Sequence, residues 1–307
     1  MSSPQCGASS SSSRPPGVMA KLERICRALT HREPDRVPIS DFFWGGFVRR
    51  WRRELGLPAD VSPYDYYDLD WVVTIPNMDP HIRPFEIIRE TPDEVVVRTG
   101  FETTLRKTFE LPMPEQVDWA TDTLEKLEAF EFDPPDDPRR FFSGGDNQIA
   151  GVGDGFERNS PPWIETVRSL RDRFPVFGSM IEASECLTRL VGQMNALLWS
   201  AEEPERFGRQ VERIGEFYVR CADAAMSAAE GLLDGFVIWG DVAYRENMFF
   251  DPAYWRTYYR PAVAEMVRLA HRRNLPVIYH GCGCMRAILP DLIEIGVDAV
   301  NSQLFCM

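Results

Sequence analysis

Apolar positions along this chain follow two rhythms. Short unbroken apolar runs occur at Gly235-Phe-Val-Ile-Trp-Gly240, which stops at Asp241, and at Pro276-Val-Ile-Tyr-His280, which stops at the turn Gly281-Cys282-Gly283-Cys284. Such runs read as strands buried in a parallel sheet. Between them Trp255, Tyr259, Val263, Met266, Val267 and Ala270 recur at helical spacing behind Asp251-Pro252, a capping carboxylate followed by a proline at the first helical position. A second helix is predicted from Met285 to Ile295, with Ile288, Leu289, Leu292 and Ile293 turned inward. Gly296 ends it before the strand Val297 to Asn301. Strands joined by crossover helices predict an α/β fold, in which the polar residues that end the strands face the ligand. That rule gathers Asp241, His280, Cys282 and Asn301 at the mouth of one cleft.

The same rhythm extends towards the N-terminus. Met19 to Thr30 predicts an amphipathic helix with Leu22, Ile25, Cys26 and Leu29 on one face, followed by a strand at Arg36 to Asp41, with Pro38 tolerated near its start. Phe47 to Leu55 reads as a helix whose arginines 49, 50, 52 and 53 form a solvated face, and Asp68 to Pro76 reads as a strand leading to Asn77. Glu94 to Phe109 breaks the βα pattern and predicts an inserted β-hairpin turning at Thr99-Gly100. Later helices are expected at Trp163 to Phe174, at Glu185 to Leu198, and from Pro204 to near Gly231, with a strand at Pro175 to Ser179. Strands centred on Val37, Val72, Val176, Val237, Val277 and Val297 make six. The expectation is a TIM-type (β/α) barrel of six units out of eight, because about 250 residues are usual for the complete barrel and only six residues follow Asn301. Its edge strands, at Val37 and Val297, would be unpaired unless the hairpin or a second copy of the chain covers them.

Composition narrows the function classes. In a chain of 307 residues with 44% hydrophobic and 12% aromatic residues, one large domain is the economical reading, assigned to residues 19–307. Residues 1–18, with serines 9 to 13 and Pro15-Pro16-Gly17, read as a disordered tail. A formal net charge of −13 argues against binding duplex nucleic acid. No apolar run approaches the roughly 18 residues of a membrane span. Seven cysteines without a secretory leader point to a reducing, cytoplasmic setting. The glycine-rich stretch from Phe142 to Gly155 lacks the Lys-Ser or Lys-Thr that closes a phosphate loop and reads as a loop over the cleft.

The chemistry-bearing residues concentrate in the His280-x-Cys282-x-Cys284 turn. Imidazole nitrogen and thiolate sulfur are good zinc donors, and a catalytic zinc takes three protein ligands and keeps one position open. His280 and Cys282 are the metal candidates, set against plain packing or hydrogen bonding of the same residues and against a Cys282 nucleophile activated by His280. Asp241, ending the neighbouring strand, is a candidate acid, base, metal ligand or orienter of His280. Asn77 and Asn301 add polarity at strand ends and are candidate cofactor-binding residues. Asp70 sits earlier in its strand, where a catalytic and a structural role compete.

Three segments together resemble the uroporphyrinogen decarboxylase superfamily: Ala28-Leu-Thr-His-Arg-Glu-Pro-Asp-Arg-Val-Pro38; Asp234 to Asp241 with Phe250-Asp-Pro-Ala-Tyr-Trp255; and Val277-Ile-Tyr-His-Gly-Cys-Gly283 with Ile288 to Asn301. The resemblance spans about residues 20–303 and implies a β/α barrel with one of two chemistries. One is cofactor-free decarboxylation of porphyrinogen acetate groups. The other is corrinoid-linked methyl transfer, often with zinc activating a thiol. The decarboxylases carry Arg-Gln-Ala-Gly-Arg after the first strand, where this chain has Asp41-Phe-Phe-Trp-Gly-Gly-Phe-Val-Arg-Arg50, and their essential aspartate falls near Asp70. The methyltransferase branch uses His-x-Cys at the end of the fifth strand, which His280 and Cys282 match, plus a later cysteine. For that third position Cys284, Cys306 and Asp241 are the alternatives. The resemblance therefore implies a small-molecule substrate, zinc, and a corrinoid carried on a partner protein. A decarboxylase and a non-catalytic barrel that binds a ligand or partner stand as the other readings.

Overall fold

The computed structural model describes residues 15–43, 45–108, 111, 114–142 and 161–303. The tail before Pro15, the glycine-rich stretch from Ser143 to Gly155, and Cys306 lie outside the described residues. Helix α1 (Pro16–Leu29) begins with a proline at its first position, earlier than its apolar pattern suggests. It is followed by α2 (Gly45–Leu55) and the short α3 (Pro63–Tyr66), capped by the Ser62 hydroxyl.

Five strands form the parallel sheet: β1 (Val72–Val73), then, after an intervening antiparallel sheet, β6 (Val176–Ile181), β7 (Gly235–Trp239), β8 (Val277–Cys282) and β9 (Ala299–Gln303), paired in that order. Sequential parallel pairing is the barrel pattern. The sheet is open among the described residues, with β1 and β9 at its edges.

The strand expected at Arg36 to Asp41 is absent, which lowers the six predicted strands to five. Pro38 has no N–H to give to a ladder, Ile39 donates its N–H to the Asp70 side chain at 2.7 Å, and Ser40 bonds the Trp71 carbonyl through its hydroxyl. The segment runs beside β1 without pairing as a strand, and Val37 stays 74% exposed.

The inserted hairpin is also larger than expected. An antiparallel sheet of β2 (Glu86–Glu90), β3 (Glu94–Arg98), β4 (Thr103–Thr108) and β5 (Glu115–Trp119) stands apart from the parallel sheet. Short helices α4 (Leu124–Glu128), α5 (Arg139–Phe142) and α6 (Trp163–Leu170) lead from it into β6. One helix was expected over Glu185 to Leu198. Two are found, α7 (Ala183–Val191) and α8 (Gln193–Glu202), divided by Gly192 at φ +82°. That left-handed value suits glycine, and a β-carbon there would press on Trp119 of β5 at 3.0 Å.

The long helix α9 (Pro204–Ala228) returns the chain to β7. Helices α10 (Pro252–Tyr258) and α11 (Arg260–Arg272) connect β7 to β8, and a short 3₁₀ turn with α12 (Leu289–Glu294) connects β8 to β9. The outer face of the parallel sheet presents Val176, Phe236, Ile238, Val277 and Tyr279 to these helices in the main core. Its inner face presents Phe177, Val237 and Ile278, with Trp71, Val73 and Ala299 at their margins. Ile25 and Leu29 of α1 pack against that face from the end where the strands begin. With α1 at that end, the carboxyl ends of the strands are left for a site. No helix among the described residues is long and apolar enough to cross a membrane.

Candidate metal centre

Register decides what the sheet offers at its carboxyl end. Ile181 pairs with Trp239, Trp239 with His280, and His280 with Asn301, so these four side chains form one row across β6 to β9 on the inner face. Two residues further on, Asp241 and Cys282 rise above that row.

Three of these groups converge. His280 Nε2 lies 3.9 Å from Cys282 Sγ and 4.0 Å from Asp241 Oδ1, and one donor atom from each residue falls within 4.8 Å of the others. Donors bound tetrahedrally to zinc at about 2.0–2.3 Å stand roughly 3.5 Å apart, so the triangle would close by about 0.5–1 Å around the ion. Imidazole, thiolate and carboxylate is also a donor set zinc accepts.

Backbone and side-chain bonds hold the three in place. The Cys282 N–H donates to Asp241 Oδ1 at 2.8 Å, and His280 Nδ1 meets Asn301 Oδ1 at 2.6 Å. Trp239 sits 4.8 Å from the His280 ring and 4.8 Å from Phe42, each pair tilted at 63°, making an apolar wall on one side.

Burial, followed by the neighbouring Asp241 charge, pushes the Cys282 thiol up to about 12, so it holds its proton at neutral pH until a cation offsets the negative charge. Behind Asp241, burial pushes the Glu182 carboxyl up to about 8. Its Oε1 accepts from the Ser184 hydroxyl at 2.8 Å, and the Tyr279 hydroxyl beside it also favours the charged form. Gly240 allows this packing, since a β-carbon there would meet the Tyr279 hydroxyl at 2.2 Å. A cavity of about 20 Å³, room for one water, opens beside Asp241 between Ser184, Thr188, Gln193, Phe249 and Tyr259.

The other expected residues lie elsewhere. Asp70 precedes β1, at the opposite end of the sheet, fully buried and bonded by Arg24 and Arg36. Asn77 follows β1 on a buried loop, where its Oδ1 accepts the Asp79 N–H at 3.0 Å. Cys284, whose N–H bonds the Tyr244 carbonyl, is not one of the converging groups, and Asp241 is the residue that joins His280 and Cys282. Sequence reasoning passed over Trp239, although its place two residues before Asp241 on the same face was a usable signal.

A family model described as Uroporphyrinogen decarboxylase (URO-D) matches residues 149–303, the half of the chain that carries this centre. No curated protein matches the chain by sequence. Among solved structures, a methyltransferase from Methanosarcina mazei is similar with a TM-score of 0.53 and 16% identity, over 92% of this chain and 75% of that one. A likeness at that identity concerns the fold alone.

Proposed function

The chain belongs to the uroporphyrinogen decarboxylase family, and from that premise we propose that it is a zinc-dependent enzyme passing a methyl group between a small thiol and a corrinoid on a partner protein. The observation that carries this reading is the convergence of His280, Cys282 and Asp241 at one strand-end position. Zinc there would supply a Lewis acid that lowers the pKa of a substrate thiol, providing a nucleophile at neutral pH. Cys282 gives up its proton to become a ligand, while Asp241 contributes charge and, by accepting the Cys282 N–H, keeps the turn closed. Trp239 and Phe42 keep one side of the centre apolar, where charge interactions are stronger than in water.

Elemental analysis of purified protein tests the reading. About one zinc per chain is expected, lost in His280→Ala and Cys282→Ala, together with zinc-dependent demethylation of methylcobalamin by a small thiol. Metal-free wild-type protein from zinc-supplemented cells overturns it.

Family membership supports a second reading, cofactor-free decarboxylation. Asp70 serves it poorly, being enclosed by two arginines at the far end of the sheet. Anaerobic incubation with uroporphyrinogen separates the two. Carbon dioxide release that falls in Asp241→Asn would favour the decarboxylase, and none above blank is expected. Absence of metal and of both turnovers would leave the non-catalytic barrel.

A further inference from the structure

We propose that Asn301 is the positioning residue that fixes which nitrogen of His280 faces the metal position; this rests on the zinc reading given above. Asn301 stands directly opposite His280 in the β8–β9 register, with its Oδ1 2.6 Å from His280 Nδ1. An amide oxygen only accepts, so this contact places the proton on Nδ1. The Nε2 lone pair is then free, and Nε2 is the atom that lies 3.9 Å from Cys282 Sγ and 4.0 Å from Asp241 Oδ1.

The neighbouring rings cannot do this on their own. Trp239 at 4.8 Å and Phe42 at 6.4 Å stand against one side of the imidazole. A half-turn about the Cβ–Cγ bond returns the ring to the same plane with nitrogen and carbon exchanged and its outline unchanged, so apolar contacts tell the two orientations apart poorly. A directional acceptor does distinguish them, and a second partner of this kind typically changes metal affinity by about 10–100-fold.

The acceptor also comes from an exposed position on an edge strand. Among the described residues β9 pairs only with β8, so the β8–β9 ladder alone holds Asn301 against His280. The ligand's orientation is therefore coupled to the integrity of the sheet edge.

The test compares wild type with Asn301→Leu, which removes the acceptor, and Asn301→Asp, which keeps an acceptor and adds charge. In metal-free protein, the ¹⁵N shifts of the His280 ring should report a proton on Nδ1 in wild type and Asn301→Asp, and lose that preference in Asn301→Leu. In competition with a chromogenic chelator, zinc affinity should fall about 10–100-fold in Asn301→Leu and be kept or raised in Asn301→Asp. Thermal midpoints of the metal-free proteins check that all three are folded. An unchanged ring tautomer in Asn301→Leu overturns the proposal, even if zinc affinity drops, because the loss would then be merely structural. Failure of wild type to bind zinc defeats the metal reading instead, and the tautomer measurement still decides whether Asn301 holds His280.

Discussion

Asp241 Oδ1 accepts the backbone N–H of Cys282 at 2.8 Å, so the carboxylate beside the thiol is oriented by the same turn that carries the thiol. Asp241→Asn keeps an acceptor oxygen for that N–H and removes the charge. Because the Asp241 charge is one of the causes that raise the Cys282 thiol, its pKa should fall below about 12 in the variant. Iodoacetamide labelling of metal-free protein against pH, in a Cys284→Ser background, should show a larger thiolate fraction at pH 9. Identical profiles would mean that burial alone sets this thiol.

Asp70 is fully buried and accepts from Arg24 Nη1 at 2.5 Å, Arg36 Nη1 at 2.6 Å and the Ile39 N–H at 2.7 Å, which ties α1 and the segment after it to the start of β1. Removing one partner of a buried ion pair costs roughly 3–5 kcal/mol. The lower end applies here, because the Arg36 side chain remains 38% exposed. Asp70→Asn should lower the urea midpoint accordingly and leave zinc content unchanged. A variant of normal stability that had lost turnover would return Asp70 to the catalytic role.

Asp79 gives a pH dependence of definite sign. Burial pushes its carboxyl up to about 8, against the pull of Arg189, Arg140, the Gly100 N–H and Arg83. An unfolded aspartate titrates near 3.9. Between about 4 and 8 the folded protein therefore holds a proton that the unfolded chain has released, and the stability contributed below pH 4 is lost as pH rises towards 8. Asp79→Asn removes this slope, so its thermal midpoint should gain on wild type between pH 5 and pH 8. Parallel curves would show that the folded-state carboxyl is not raised.

What the sequence made legible divides along physical lines. The runs ending at Asp241 and His280 are continuous apolar strands with their chemistry next in line, so the centre could be located from short-range pattern. The strand expected around Val37 failed because the Ile39 N–H goes to a side chain 31 residues away, a partner that no local pattern reveals. In β2 all five residues, Glu86 to Glu90, are exposed, so no alternation marks the strand, and β5 has no buried position to mark it either. Asn301 was legible as a rim residue. Its opposition to His280 depends on the register of two strands, which sequence spacing leaves open.

Gly283 tests whether the centre depends on the close approach of two turns. Its φ of +83° lies in the left-handed region, and a β-carbon would stand 2.4 Å from the Tyr244 carbonyl oxygen, which itself accepts the Cys284 N–H at 2.8 Å. The Tyr244 turn follows Asp241, and the Gly283 turn follows Cys282. Gly283→Ala should therefore force apart the two segments that bring the carboxylate and thiol together, besides adding about 1–3 kcal/mol of backbone strain. Gly296, at φ +92° behind α12, is the control: its β-carbon would meet only side-chain atoms, the nearest at 3.4 Å, so alanine there brings strain without that clash. Both variants should lose stability, and only Gly283→Ala should also lose zinc affinity, read by chelator competition at a temperature where each is folded. If the two fall equally in stability and both keep wild-type affinity, the trio is held by the strands alone and the contact between the turns is incidental to it.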